Sequence, residues 1–168
     1  MSAATLAIRA EVAADREAIQ TLHRAAFGGE AEASLVEALR AEGAVVLSLV
    51  AAQDGEIAGH VLYSRLTLDP SHSEALSLAP VAVLPKRQRQ GIGARLIEEA
   101  HRMLTMRGEK IVFVLGDPAY YGRLGFSAAT AKPFRTPYDG EYMQALILAP
   151  DAPKSGSVRY PAAFAGLE

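Results

Sequence analysis

Apolar residues recur along the chain with periods that change from one segment to the next, and each period predicts an element. Thr5 to Ala10 is short and β-capable, a first strand. Asp15 suits a helix N-cap. From there Ala18, Ile19, Leu22, Ala25 and Ala26 repeat near every 3.6 residues, which predicts a helix ending at Phe27-Gly28-Gly29. A second helix is expected from about Glu30, with Ala31, Leu35, Ala38 and Leu39 on one face and Gly43 as its stop. The helical period then gives way. Val45 to Gln53 is an apolar run, Asp54-Gly55 is a hairpin turn, and Glu56 to Leu68 is the return strand. Asp69-Pro70-Ser71-His72-Ser73 breaks the pattern, and a further strand runs from about Ala75 to Val83. Pro80 lacks the N–H that a ladder needs, so a bulge is predicted near Ala79 or Pro80.

A long helix is expected from Gly91 to Gly108, with Ile92, Leu96, Ile97, Ala100, Met103 and Leu104 inward and Glu98 four residues before Arg102 on the polar side. Lys110 to Leu115 has the compact apolar character of a buried strand, so strand, helix and strand should form one right-handed βαβ unit. A short turn or helix around Pro118 to Arg123 follows, and segments near Phe126 and Met143 to Leu148 supply the last strands. Residues 1–150 are expected to form one domain. Residues 151–168 form a tail, partly loop, able to pack back through Val158, Tyr160 and Phe164.

Composition removes whole classes of chemistry. There is no cysteine, so disulfides, thiolate metal sites and cysteine nucleophiles are excluded together. His23, His60 and His101 lack metal-ligand spacing, and no metal site is expected. The 17 Lys+Arg against 19 Asp+Glu give a net charge of −2, too little positive field for bulk nucleic-acid binding. No apolar run approaches the roughly 18 to 20 residues of a membrane span, and acidic residues stand where a signal peptide would be apolar. The expectation is a cytoplasmic protein without membrane or nucleic-acid partners, with a homodimer left open.

The residues Val81-Ala82-Val83-Leu84-Pro85-Lys86-Arg87-Gln88-Arg89-Gln90-Gly91-Ile92-Gly93-Ala94 place a glycine-bearing loop between a strand's end and a helix's start. Free main-chain N–H groups and the positive end of the helix dipole make such a loop an anion site, which Lys86, Arg87 and Arg89 would reinforce. The alternative is a plain tight turn with solvated basic residues. A nucleotide P-loop is absent, and Leu96 stands where a dinucleotide fingerprint needs its third glycine.

What remains, Gln88-x-x-Gly91-x-Gly93 behind an apolar Val-Ala-Val-x-Pro, resembles motif A of the GNAT superfamily of acyl-CoA N-acyltransferases. Tyr121-Gly122-Arg123-Leu124-Gly125-Phe126 is similar to the GNAT segment in which a tyrosine precedes Leu-Gly-Phe, and Asp54 to Gly59 resembles the hairpin of that fold. Leu115 to Tyr121 and Val158-Arg159-Tyr160-Pro161 look like a bacterial N-acetyltransferase branch and depart from the ribosomal-protein acetyltransferase pattern.

The resemblance covers roughly residues 5 to 148. It implies a GNAT-like α/β fold with a mixed, mostly antiparallel sheet of six or seven strands, and acetyl transfer from acetyl-CoA, as co-substrate, to a small-molecule or peptide amine. By position it implies that Val81, Ala82 and Val83 lie along the pantetheine arm, that Gln88 and Arg89 to Ala94 (Arg89, Gln90, Gly91, Ile92, Gly93 and Ala94) hold the diphosphate, and that Tyr121 assists the departing sulfur. Tyr121 is otherwise a core aromatic, and Tyr120 packs. Glu74, His72 and Asp117 are the candidate acceptor-side bases. The acceptor pocket is expected from Phe27 to Glu30, Asp69 to Glu74 and Lys132 to Glu141. The rival readings are a non-catalytic acyl-CoA-binding sensor and a nucleotide or RNA binder using Lys86 to Arg89.

Overall fold

The computed structural model describes residues 5–167; residues 1–4 and 168 of the expected domain and tail lie outside the described residues. Strand β1 (Ala7–Ala10) leads to helices α1 (Arg16–Phe27) and α2 (Ala31–Ala41), then to strands β2 (Val45–Gln53), β3 (Glu56–Asp69) and β4 (Ser73–Val83). Helix α3 (Ile92–Met106), strand β5 (Ile111–Leu115) and two short helices, α4 (Pro118–Gly122) and α5 (Ala128–Ala131), follow. Strands β6 (Phe134–Arg135), β7 (Met143–Ile147) and β8 (Gly156–Arg159) complete the order.

The sheet runs β1-β2-β3-β4-β5-β7, with β8 added beside the end of β3 and β6 beside β8. It is antiparallel except at β4/β5 and β6/β8. The eight strands exceed the six or seven expected, because β6 and β8 are too short to leave a period in the sequence. Phe126 enters no strand; its neighbour Ser127 makes a single bridge to Ala145.

Helix α3 covers one face, where Leu96, Ile97, Ala100 and Leu104 meet Val61, Tyr63, Val112 and Val114. Helix α2 and Phe164 cover the other, where Leu35, Val36 and Leu39 meet Leu62 of β3. Along β5 the alternation is strict: Val112 and Val114 face α3, whereas Ile111 and Phe113 face Phe134, Met143 and Val158 on the opposite side. Gly59 lets α3 approach β3, since a Cβ there would lie 2.9 Å from both Ile92 and Leu96.

Two local expectations change. Asp15 does precede α1, but its carboxylate accepts from Val12 N–H at 2.8 Å and pairs with Arg9 at 2.7 Å instead of capping the helix. Arg102 pairs with Glu99, three residues before it, rather than with Glu98. Among the described residues, no helix is long and apolar enough to cross a membrane.

Candidate active site

Strand β4 is continuous in sequence but not in its pairings. Val81 lies opposite Val61 and Leu78 opposite Tyr63, so β4 spends three steps where β3 spends two, and the extra residue falls at Ala79-Pro80 as the proline predicts. The parallel pairing of β4 with β5 is confined to Leu76/Val112 and Ser77/Phe113. Beyond it β5 stays with β7 as far as Leu115/Met143, while Val81, Ala82 and Val83 follow β3. The two parallel strands therefore part, leaving the β5-side main-chain groups of Val81 to Val83 without a strand partner. Val81 and Val83 are half-buried and Ala82 is buried.

The opening runs into the start of α3. Gly91 is the N-cap residue at φ 80°, no side chain caps the helix, and the first helical bond is Arg95 N–H to Gly91 O at 3.0 Å. The N–H groups of the first turn thus have no intrahelical acceptor. Arg89, at φ 67°, also stands in the left-handed region that L side chains avoid. Gln88 ties the loop back to the strand by donating Nε2–H to Val83 O at 3.1 Å. Lys86 and Arg87 do not serve the loop mouth as expected. Both pair with Glu56, at 3.3 and 3.0 Å, and Arg87 also donates to Gln53, so they fasten the loop to the β2/β3 hairpin.

Helix α4 closes the site from above. Asp117 caps it, its Oδ1 accepting from Ala119 N–H at 2.9 Å, and two tyrosines follow. Tyr120 docks on the first turn of α3: a Cβ on Gly93 would stand 2.7 Å from Tyr120 Oη and 3.7 Å from Val83 Cγ2. Strand end, helix start and α4 meet at that point. Tyr121 lies edge-on to Tyr120 and to Phe126, with ring centroids 4.9 and 5.7 Å apart. Its ring covers Gly116 so closely that a Cβ there would fall 2.5 Å from Cε2. Burial, with a smaller effect from Tyr120, pushes the Tyr121 hydroxyl up to about 12. It is held protonated at neutral pH as a hydrogen-bond donor.

The expected bases separate. Asp117 is at the open end but is engaged as a cap. Glu74 is not brought to the site. It is the second residue of β4, pairs with Arg65 at 2.9 Å, and lies seven residues of strand from Val81, about 23 Å at the usual rise. His72 is exposed in the same distant turn, so the Asp69 to Glu74 loop joins the far end of the sheet. Glu74→Gln should accordingly leave acetyl transfer within about twofold of wild type and cost less than about 1 kcal/mol of stability, as for an exposed ion pair. Turnover and urea midpoints measured on the variant check both.

Three features of the structure leave no local signal in the sequence. Gln144, 1% exposed, donates Nε2–H to Gly116 O at 3.1 Å and fixes the turn beneath Tyr121. Gly93 makes room for Tyr120, although the motif suggested only a ligand-facing role. Two of the three histidines, His23 and His60, form a buried chain, His23 Nε2 to His60 Nδ1 at 2.9 Å and His60 Nε2 to Ser48 Oγ at 2.7 Å.

A strand opening that runs into an uncapped helix start is the arrangement expected of an acyl-CoA-dependent transferase. The family model of the acetyltransferase (GNAT) domain matches residues 45–128, and the chain belongs to the GNAT family of N-acetyltransferases. It is similar to the uncharacterised N-acetyltransferase YhbS of Escherichia coli K12, 36% identical over 86% of this chain and 89% of that protein. It is also 38% identical to YjhQ of the same organism, over 74% of this chain and 71% of that one. The crystal structure of E. coli YhbS in complex with CoA superposes with a TM-score of 0.92 at 35% identity, covering 98% and 94% of the two chains. A GNAT acetyltransferase of Brucella melitensis in complex with acetyl-CoA gives 0.81 at 37% identity, covering 95% and 98%.

Proposed function

We propose that the chain transfers the acetyl group of acetyl-CoA directly to a small-molecule or peptide amine, with residues 1–150 as the catalytic domain and the tail packed on it. The parting of β4 from β5 where they run into the uncapped start of α3 carries this reading. The opening offers a bound chain two things at once: strand-like main-chain partners at Val81 to Val83 for the pantetheine amides, and helix N-terminal N–H groups for a diphosphate. In this reading Gln88 holds the loop to the strand, and the N–H groups of Arg89, Gln90, Gly91, Ile92, Gly93 and Ala94 face the anion. The Val83 N–H lies near the acetyl oxygen and Tyr121 near the sulfur. The CoA and acetyl-CoA complexes of the two similar structures support the donor assignment.

Gly91 supplies the test. Nothing lies within 4 Å of a Cβ built on it, so a side chain there has space but not the backbone conformation, at φ 80°. Gly91→Val should reshape the N–H cradle and weaken acetyl-CoA binding at least about tenfold, the loss of one or two charge-assisted hydrogen bonds. Calorimetry on the folded variant reads this. Unchanged affinity would remove the loop from the donor site. Free-thiol release across a panel of amines separates turnover from mere acyl-CoA sensing.

A further inference from the structure

A groove of about 490 Å³ opens on the face of β5 opposite α3, between α5, β6 and the start of β7. Ala128, Phe134 and Met143 give it an apolar floor. Its two ends are placed by strand register. Met143 lies opposite Leu115, and Tyr142 O accepts from Gly116 N–H at 3.0 Å, so one end adjoins the turn covered by Tyr121. Arg135 lies beside Ser157, whose own partner is Asp69, so the other end points toward the far end of the sheet.

Of the four charged rim residues, Asp139 has its Oδ1 engaged by Thr136 N–H and Thr136 Oγ1 at 3.0 and 3.1 Å, and the other three follow that axis. Glu141 stands at the Tyr121 end, and Lys132 and Arg135 stand away from it. All three are exposed, and among the described residues none of their side chains has a hydrogen-bond or ion-pair partner. Unpaired cations at one end and an unpaired carboxylate at the other are complementary to a ligand charged in the opposite sense at each end. Apolar surface continues from the groove to the site mouth, where Leu115 is 51% and Tyr142 55% exposed. Large apolar side chains left in solvent beside a cleft mark contact with an apolar ligand body.

We propose that this groove takes the acetyl acceptor and selects an amine with an apolar body and a remote carboxylate, such as an ω-amino acid or a short apolar peptide. The assignment rests on the acetyl-transfer reading. The ammonium sits by Glu141 and the carboxylate by Lys132 and Arg135. The amine loses a proton to water, its nitrogen bonds to the thioester carbon, and the carbon–sulfur bond breaks with its electron pair on sulfur. The second nitrogen proton leaves to solvent and the thiolate takes one up, so one proton is released per acetyl group transferred.

The test compares ω-amino acids of four to eight carbons with alkylamines of equal length, following thiol release from acetyl-CoA. At one chain length the amino acid should exceed the alkylamine in kcat/KM by about tenfold or more. Arg135→Gln combined with Lys132→Gln should erase that preference, leaving the alkylamine rate within about twofold and acetyl-CoA affinity unchanged. Equal turnover of the two series overturns the proposal, as does a preference that survives the double substitution. So does the absence of turnover of every ω-amino acid by protein that calorimetry shows to bind acetyl-CoA. Failure to bind acetyl-CoA at all is a different result and overturns the acetyl-transfer reading itself.

Discussion

Tyr121→Phe is expected to lower turnover roughly 10- to 200-fold while leaving acetyl-CoA affinity within about twofold, because only a hydrogen bond that strengthens in the transition state is lost. The ring keeps its packing against Tyr120, Phe126 and Gly116, none of which touches the hydroxyl's role. The size of the effect follows from acidity. A hydroxyl at about 12 facing a thiolate whose acid has an ordinary pKa of about 8.5 would transfer its proton uphill by more than three units, about 4 to 5 kcal/mol. Full transfer is therefore disfavoured. Donation of a hydrogen bond to the developing negative charge contributes about 1.5 to 3 kcal/mol, which gives the stated range. Acyl donors with a more acidic thiol should show a smaller loss. The wild-type rate should also show no decline from tyrosine ionisation until well above pH 10, since the buried phenol stays protonated to about 12. A variant that turned over acetyl-CoA at the wild-type rate, with chemistry limiting, would return Tyr121 to a packing role.

What the sequence revealed here, and what it hid, divides by range. The helices before the sheet, the Asp54-Gly55 hairpin, the bulge at Pro80 and α3 all rest on local rules, periodicity, turn chemistry and the missing proline N–H, and the structure has each of them. The same holds for the glycine loop as an uncapped helix start. Glu74 shows where local reading stops. Strand rise alone sets its distance from Val81, but which end of β4 carries the opening is a property of how β4 pairs with β5 and not of any window of residues. Lys86 and Arg87 looked like anion ligands because composition cannot show that Glu56 stands across the hairpin to pair with them. Gly93 and Gln144 act through partners 27 and 28 residues away, which no motif records.

The largest stability effect expected is acid destabilisation between about pH 6.5 and 4, and its origin is the buried imidazoles. Burial holds His23 and His101 down to about 4, and for His23 the positive charge of Arg40 adds to it. His60 is also held well below its ordinary value, by burial and by His23 and Arg40, with Asp15 opposing. The hydrogen-bond chain favours one neutral arrangement. His23 Nδ1 is buried without a partner. A proton there would be a buried donor with no acceptor, at a cost of about 1 to 3 kcal/mol. His23 therefore carries its proton on Nε2 and donates to His60 Nδ1, and His60 donates Nε2–H to Ser48 Oγ. Charging either ring forces an unsatisfied N–H into the core. The sign follows from proton counts: below about pH 6.5 the unfolded rings bind protons that the folded ones refuse, so stability is complete above that pH and declines as pH falls toward 4. At about 1.4 kcal/mol per unit, a drop from 6.5 to about 4 is worth about 3 kcal/mol for each of His23 and His101, a large part of a typical domain's 5 to 15 kcal/mol. Urea titrations from pH 7.5 to 4.5 should show a steadily falling midpoint. His23→Gln should be less stable at pH 7.5 but lose less on acidification, because one of the buried rings no longer titrates. A midpoint flat from pH 7 to 5 would mean that these rings accept protons while folded, and the buried chain would then have to open or admit water to solvate them.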